Sequence, residues 1–164
     1  MALHLADHMA AALPTLRVHP TAKRIRAMVD GKVVVDSTRA RIVWEPRRIV
    51  PSYAVPVADI AGMLTLSNGA PRGAAHPVTI GTGPPVFDPS TAFSVHTTPG
   101  QMFDITVGHA TLRRAAFIAE DADLGADAIL DFDAFDEWRE EDELLVGTPA
   151  TRSRRSTPGG ARGA

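Results

Sequence analysis

The chain has 164 residues, 45% of them hydrophobic, with no cysteine and a formal net charge of −2. Enough apolar residues are present for one packed domain, which speaks against wholesale disorder. The missing cysteines exclude disulfides and thiolate zinc sites and fit a reducing compartment, and the near-neutral charge gives no reason to expect a nucleic-acid partner.

Residues 2–13 have the spacing of a short amphipathic N-terminal helix ended by Pro14. They carry no Lys or Arg, so neither a secretory leader nor a grip on an anionic membrane is expected. No window reaches the roughly 18 apolar residues of a membrane span. A soluble cytoplasmic protein without a membrane partner is the expectation.

From Lys23 to Ile60 the pattern is strand, tight turn and further strands. Ile25, Ala27 and Val29 alternate with Arg24, Arg26 and Met28, as in a half-buried strand. Asp30-Gly31 is a hairpin turn, because both central positions of a type I′ turn need positive φ. Val33 to Val35 return. Ala40, Ile42 and Trp44 alternate with Arg41, Val43 and Glu45 in a third strand stopped by Pro46. Ile49 to Val55 is a fourth, placed at an edge or entering its sheet late because of Pro51 and Pro56. One helical or 3₁₀ turn follows near Asp59, then Leu64 and Leu66. Residues 67–92 read as a long loop punctuated by Gly and Pro, with a short strand near Val78. A second hairpin pairs Met102–Val107 with Ala110–Ile118 across Gly108-His109. Ala128 to Phe132 is a last strand or a helix lead-in. Asp133 then caps an acidic C-terminal helix over Ala134–Leu145, with Phe135 and Trp138 inward. From Gly147 the residues are Arg, Ser, Thr, Pro and Gly with little to bury.

The expected organisation is therefore an N-terminal helix and lead-in over 1–15, one mainly β domain over 16–146, and a disordered basic tail over 147–164. The fold class is mainly β: a small antiparallel two-sheet domain with a short N-terminal helix and a C-terminal acidic helix.

Several spaced features resemble the bacterial family called domain of unknown function 427. They are Arg24 to Arg26, Gly31, Val35-Asp36-Ser37, Glu45, Tyr53-Ala54-Val55-Pro56 and Asp59. The segment after Phe93 is similar to the later part of the first copy in tandem members, so the likeness spans about residues 16–146. The resemblance implies a tent-like antiparallel β fold, similar to zinc-carrying relatives but without a general zinc site. It implies no settled activity, although a nucleotidyltransferase label is attached to some members. Two departures stand out. A Cys-x-Tyr-Lys-Gly segment is replaced by His96-Thr97-Thr98-Pro99-Gly100, and the second copy is replaced by the basic tail, read as a truncated or frameshifted continuation.

Polar-tipped residues at strand ends and turns, namely Asp36, Arg39, Trp44, Glu45, Tyr53 and His96, are the candidates to converge on a cleft between two sheets. No nucleophile–base motif and no convincing metal-ligand spacing is present, so no catalytic residue, metal or cofactor is expected. The leading expectation is non-catalytic binding of a small molecule or a protein partner in that cleft. One alternative is a metal-assisted enzyme on nucleotide or phosphorylated substrates, with Asp131 and Asp133 on the metal and arginines on phosphate. Another is a structural half of a tandem protein.

Charge is segregated. Residues 17–48 hold nine Lys or Arg against three acids, while 120–143 hold twelve carboxylates and one arginine. Arg24, Arg26, Arg39 and Arg41 at alternating positions suggest one basic sheet face. Contact between the two oppositely charged segments, within one chain or across a homodimer, is the expected use of that asymmetry; pairing with a second like domain is the related option.

Overall fold

The computed structural model describes residues 13–68, 73–79 and 84–145. The expected N-terminal helix and basic tail lie outside these residues, apart from the lead-in from Leu13.

The described residues form thirteen strands: β1 (Arg17–Pro20), β2 (Ile25–Val29), β3 (Lys32–Ser37), β4 (Arg41–Trp44), β5 (Ser52–Val55), β6 (Met63–Leu66), β7 (Pro77–Val78), β8 (Val86–Phe87), β9 (Gly100–Val107), β10 (Ala110–Ala119), β11 (Ala128–Leu130), β12 (Glu137–Glu140) and β13 (Glu143–Leu144). Two 3₁₀ turns span Val57–Asp59 and Phe132–Ala134. A seven-stranded sheet runs β1-β4-β5-β11-β10-β9-β6, a four-stranded sheet runs β13-β12-β2-β3, and β7 pairs with β8. All these strand pairs are antiparallel.

The first hairpin forms as its residues dictate. Asp30 and Gly31 have φ of 50° and 74°, the left-handed values of a turn that matches strand twist. The strand after it departs from simple alternation. A register shift opposite Ala27 and Met28 buries both Val34 and Val35 and leaves Val33 exposed. Such a bulge puts two successive residues against one partner. A second irregularity lies in β10 between Leu112 and Ala116, where Arg114 has φ of 51°. It sets both Ala115 and Ala116 into the core.

β4 and β5 do not extend the β2–β3 hairpin; they enter the larger sheet. β5 starts just after Pro51 and sits between β4 and β11, so it enters late and does not lie at an edge.

The expected C-terminal helix is not there. Asp131, rather than Asp133, caps a short 3₁₀ turn by accepting the Asp133 N–H at 3.0 Å. The chain then extends as β12 and pairs with β2, Trp138 opposite Ala27 and Arg139 opposite Arg26. Phe135 and Trp138 do face inward, but from a strand and its approach. The free edge of β2 needed a partner for its backbone groups, and that tertiary demand overrides a helical apolar spacing.

The larger sheet is covered on both faces. One face, with Tyr53, Val55, Ile105, Ala116 and Leu130, packs against Ile25, Ala27, Val35 and Trp138 of the smaller sheet. The other carries Val43, Ala54, Met102, Phe117 and Ile129, packed with Leu124.

The four arginines do not share one face. Arg24 pairs with Asp36 at 2.6 Å, Arg26 with Asp142 at 3.0 Å, Arg39 with Asp59 at 2.7 Å and Arg41 with Asp127 at 2.7 Å. Lys23 meets Glu140 at 3.1 Å, and Glu141 Oε1 accepts the Arg24 N–H at 2.9 Å. The acidic segment thus lies against the basic one within a single chain. Among the described residues, no helix is long and apolar enough to cross a membrane.

Candidate functional site

An aromatic cluster gathers residues of both sheets and of the segments between strands. Trp138 on β12 is 1% exposed, and its indole N–H donates to the Phe132 carbonyl at 2.9 Å. Phe132 lies nearly parallel to it at 5.3 Å and 10°, Tyr53 at 5.7 Å and 26°, and Phe135 meets it edge-on at 5.1 Å. Phe93 tilts against Phe132 at 5.3 Å. These offset and edge contacts suit the ring quadrupoles and hold the cluster rigid.

Beside the cluster opens a cavity of about 320 Å³. Tyr53, Phe93, Phe132 and Trp138 form its aromatic walls, and Ile42 and Leu130 its aliphatic ones. Ile42 and Tyr53 are register partners on β4 and β5, so the sheet pleat itself aims them the same way. Ser52 and the Tyr53 phenol are its polar elements. Burial, and then the neighbouring Glu140 charge, push the Tyr53 hydroxyl above its ordinary pKa, so it stays a hydrogen-bond donor. A space of this size and lining suits a small, mostly apolar molecule.

The six residues expected to converge do not meet in one cleft. Tyr53 lines the cavity. Trp44 is half-buried on the Ile42 face of β4, opposite Arg17 in register, but is not part of the lining. Asp36 is on the surface, accepting from Nε and Nη2 of Arg24 at 2.8 and 2.6 Å, which keep its pKa below the usual carboxylate range. Arg39 reaches Asp59, whose second oxygen accepts the Ser37 hydroxyl at 2.7 Å. These two bonds hold the Asp59 carboxyl low and tie the strand end to the first 3₁₀ turn.

Glu45 and His96 form a separate buried pair on the opposite face of the larger sheet. Glu45 follows the parity of Val43, and His96 stacks on Phe117 at 4.0 Å and 3°. His96 Nδ1 lies 2.8 Å from Glu45 Oε2. Glu45 Oε1 accepts the N–H groups of Thr97 and Thr98 at 3.0 and 3.3 Å, and the Thr97 hydroxyl donates to the Pro46 carbonyl at 2.7 Å. The His96 loop is thereby fastened to the end of β4. Among the described residues His96 Nε2 and Thr98 Oγ1 are buried without a hydrogen-bond partner. Leaving a buried polar atom unsatisfied costs on the order of 1–3 kcal/mol, so both atoms call for an explanation.

The Asp131–Phe132–Asp133 pair does not form a metal clamp. Asp131 is buried and spends an oxygen on the cap, while Asp133 is exposed. Among the described residues no group of three or more His, Asp and Glu is placed to hold a metal ion.

Phe93, Phe132 and Trp138 escaped the sequence reading as site residues. One signal was available: the chain has only six Phe, two Trp and one Tyr, and several fall near Pro-bounded or turn positions. No family model, curated protein or solved structure matches the chain.

Proposed function

We propose that the protein binds a small aromatic or heteroaromatic molecule, without transforming it, in the cavity between the two sheets. The observation that carries this reading is the preformed aromatic wall: Trp138 is fixed by three neighbouring rings and by its own N–H bond, and open space adjoins that cluster. A planar ligand stacking there replaces water on faces that are already ordered, so little is lost in ordering the site. The Tyr53 hydroxyl orients its polar atom.

The likeness to the domain of unknown function 427 family belongs to the same proposal. The antiparallel hairpin at Gly31 and the two antiparallel sheets that share one core support it, as they support a tent-like description. A cytoplasmic location is part of the reading and rests on the absent cysteines. Pairing with a second like domain has less support. Met63 and Leu66 are 64% and 55% exposed on the edge strand β6, but three positions apart they project to opposite faces and form no single patch.

Titration with nicotinamide, a neutral heteroaromatic amide that quenches indole emission at close approach, tests the reading. A Trp44→Phe background leaves Trp138 as the only indole. Saturable quenching is expected, weakened about fivefold by Phe132→Leu, which keeps apolar bulk and removes the ring face. Linear, non-saturating quenching that Phe132→Leu leaves unchanged would overturn it.

A further inference from the structure

β6 ends the larger sheet, and its ladder with β9 fixes which of its backbone groups are left over. Met63 and Thr65 lie opposite Thr106 and Asp104, and in the same register the Ser67 N–H donates to the Met102 carbonyl at 2.9 Å. Residues that bond across an antiparallel pair alternate along the strand. Met63, Thr65 and Ser67 therefore turn their N–H and C=O groups toward β9, while Leu64 and Leu66 turn theirs away from the sheet. Among the described residues nothing bonds those outward groups. The other edges of the two main sheets are blunted. β1 carries Arg17 and Pro20, and β13 has two residues, one of them Glu143. β3 is bridged at Val35 by Ile60, with the Ala61 N–H donating to the Val34 carbonyl at 2.7 Å. β6 has none of these devices. The stretch from Gly62 to Asn68 holds no charge and no proline, and Met63 and Leu66 are largely exposed.

We propose that β6 pairs with β6 of a second copy of this chain, antiparallel, about a two-fold axis at Thr65. Leu64-Thr65-Leu66 reads the same from either end, so a reversed copy matches it residue for residue. In this register Leu64 lies opposite Leu66 of the partner subunit, and the outward N–H and C=O groups of each meet those of the other. Thr65 lies opposite its own counterpart as a non-hydrogen-bonded pair, with Cα atoms about 4.5 Å apart. The faces of β6 offer no shared apolar patch, but edge pairing needs none. The main chain carries it, and the leucines of both copies add cross-strand contact beside their β9 partners Ile105 and Phe103. Charge agrees: a neutral segment meets its copy with no like charges opposed, whereas copies joined through β13 would bring Glu143 of each together. Using one edge of each chain, the pairing closes as a two-fold dimer in which the larger sheet continues through both copies. The contact is short, so the dimer is weak, at the low end of specific interfaces. No residue of β6 lines the aromatic cavity, and the pairing does not depend on that site.

The test uses the full chain, by sedimentation equilibrium from dilute to millimolar protein and by isotope-filtered nuclear Overhauser spectra of mixed labelled and unlabelled protein. The mass is expected to rise from one chain toward two and no further. An intermolecular contact is expected between the Thr65 Hα and its own counterpart. Amide exchange at Leu64 and Leu66 is expected to slow with concentration, while the Thr65 amide, already bonded to β9, keeps its rate. Thr65→Lys sets two like charges directly opposite each other in the dimer. It is expected to weaken association about fivefold and to leave the melting temperature of dilute protein unchanged, because Thr65 is exposed in the single chain. A chain that stays monomeric at millimolar concentration, growth beyond two copies, a dimer without the Thr65 contact, or one that Thr65→Lys leaves intact would each overturn the proposal. If the variant fails to fold, the wild-type Thr65 contact decides by its presence or absence.

Discussion

Asp104 shows how a single side chain sets local geometry and also pH response. It accepts the backbone N–H of Arg114 at 2.8 Å, at the point where β10 bulges and Arg114 takes a φ of 51°. That bond, helped by Ser67 and the nearby Arg113 and Arg114 charges, holds the Asp104 carboxyl below the usual range. A depressed folded-state pKa adds stability that is complete above the unfolded-state value and is lost as pH falls through the folded one. The protein should therefore lose stability as pH drops below about 4. Asp104→Asn keeps an acceptor oxygen for Arg114 but cannot titrate. Urea denaturation as a function of pH should show a shallower acid decline for this variant; a decline identical to wild type would remove Asp104 from the account. Asp59 and Asp36, both held low by arginines, add to the same decline from more exposed positions. Ion pairs in water are worth less. Of these residues, Asp36 and Arg39 were visible in the sequence as polar residues at strand ends. Their partners, Arg24 and Asp59, were also visible as residues, but not as partners, since alternation along one strand does not say which side chain on the next strand or turn it meets.

Strands and turns differ in how far their residues alone determine them. The Asp30-Gly31 turn was readable because its requirement is local: two positive φ values in succession. The acidic segment was misread because its inward residues, Phe135 and Trp138, satisfy a helical spacing as well as a strand that closes the edge of β2. The faces of β4 were also hidden. Val43 is buried on one face and Ile42 half-buried on the other, since the sheet they join is covered on both sides, and alternation does not announce that. Two glycines separate local from tertiary demands. A methyl group on Gly31 would meet nothing within 4 Å, so Gly31→Ala should cost only the strain of φ at 74°, about 1 kcal/mol. On Gly100 it would lie 2.4 Å from the Ile118 carbonyl oxygen and 2.6 Å from the Phe117 ring. Gly100→Ala should therefore cost more, about 2–3 kcal/mol, by forcing β9 and β10 apart. Chemical denaturation of the two variants checks the order; equal losses would contradict the close approach.

For the molecule as a whole, the arrangement explains why the candidate residues parted. Two sheets share one core, and the larger sheet has a second core on its far face. Residues at neighbouring strand positions, such as Tyr53 and Ala54, therefore belong to different compartments. A cavity lies between residues of the two sheets, and Tyr53 is part of its lining. Its other aromatic walls come from the loop before β9, from Phe132 at the end of what was read as a last strand or helix lead-in, and from Trp138 in the segment read as a helix. Glu45 and His96 went to the opposite face, where they fasten a loop. The segregated charge serves the chain's own closure, since the basic residues near β2 meet the acids around β12. The central claim is that the space beside Trp138 receives a planar aromatic ligand. Intermolecular nuclear Overhauser contacts between nicotinamide and methyl-labelled protein test it most directly. The account predicts contacts to the methyls of Ile42 and Leu130, which line the cavity from β4 and β11, the strands on either side of β5. Contacts confined to exposed methyls such as Met63 and Leu66, with Ile42 and Leu130 silent in the folded protein, would contradict it.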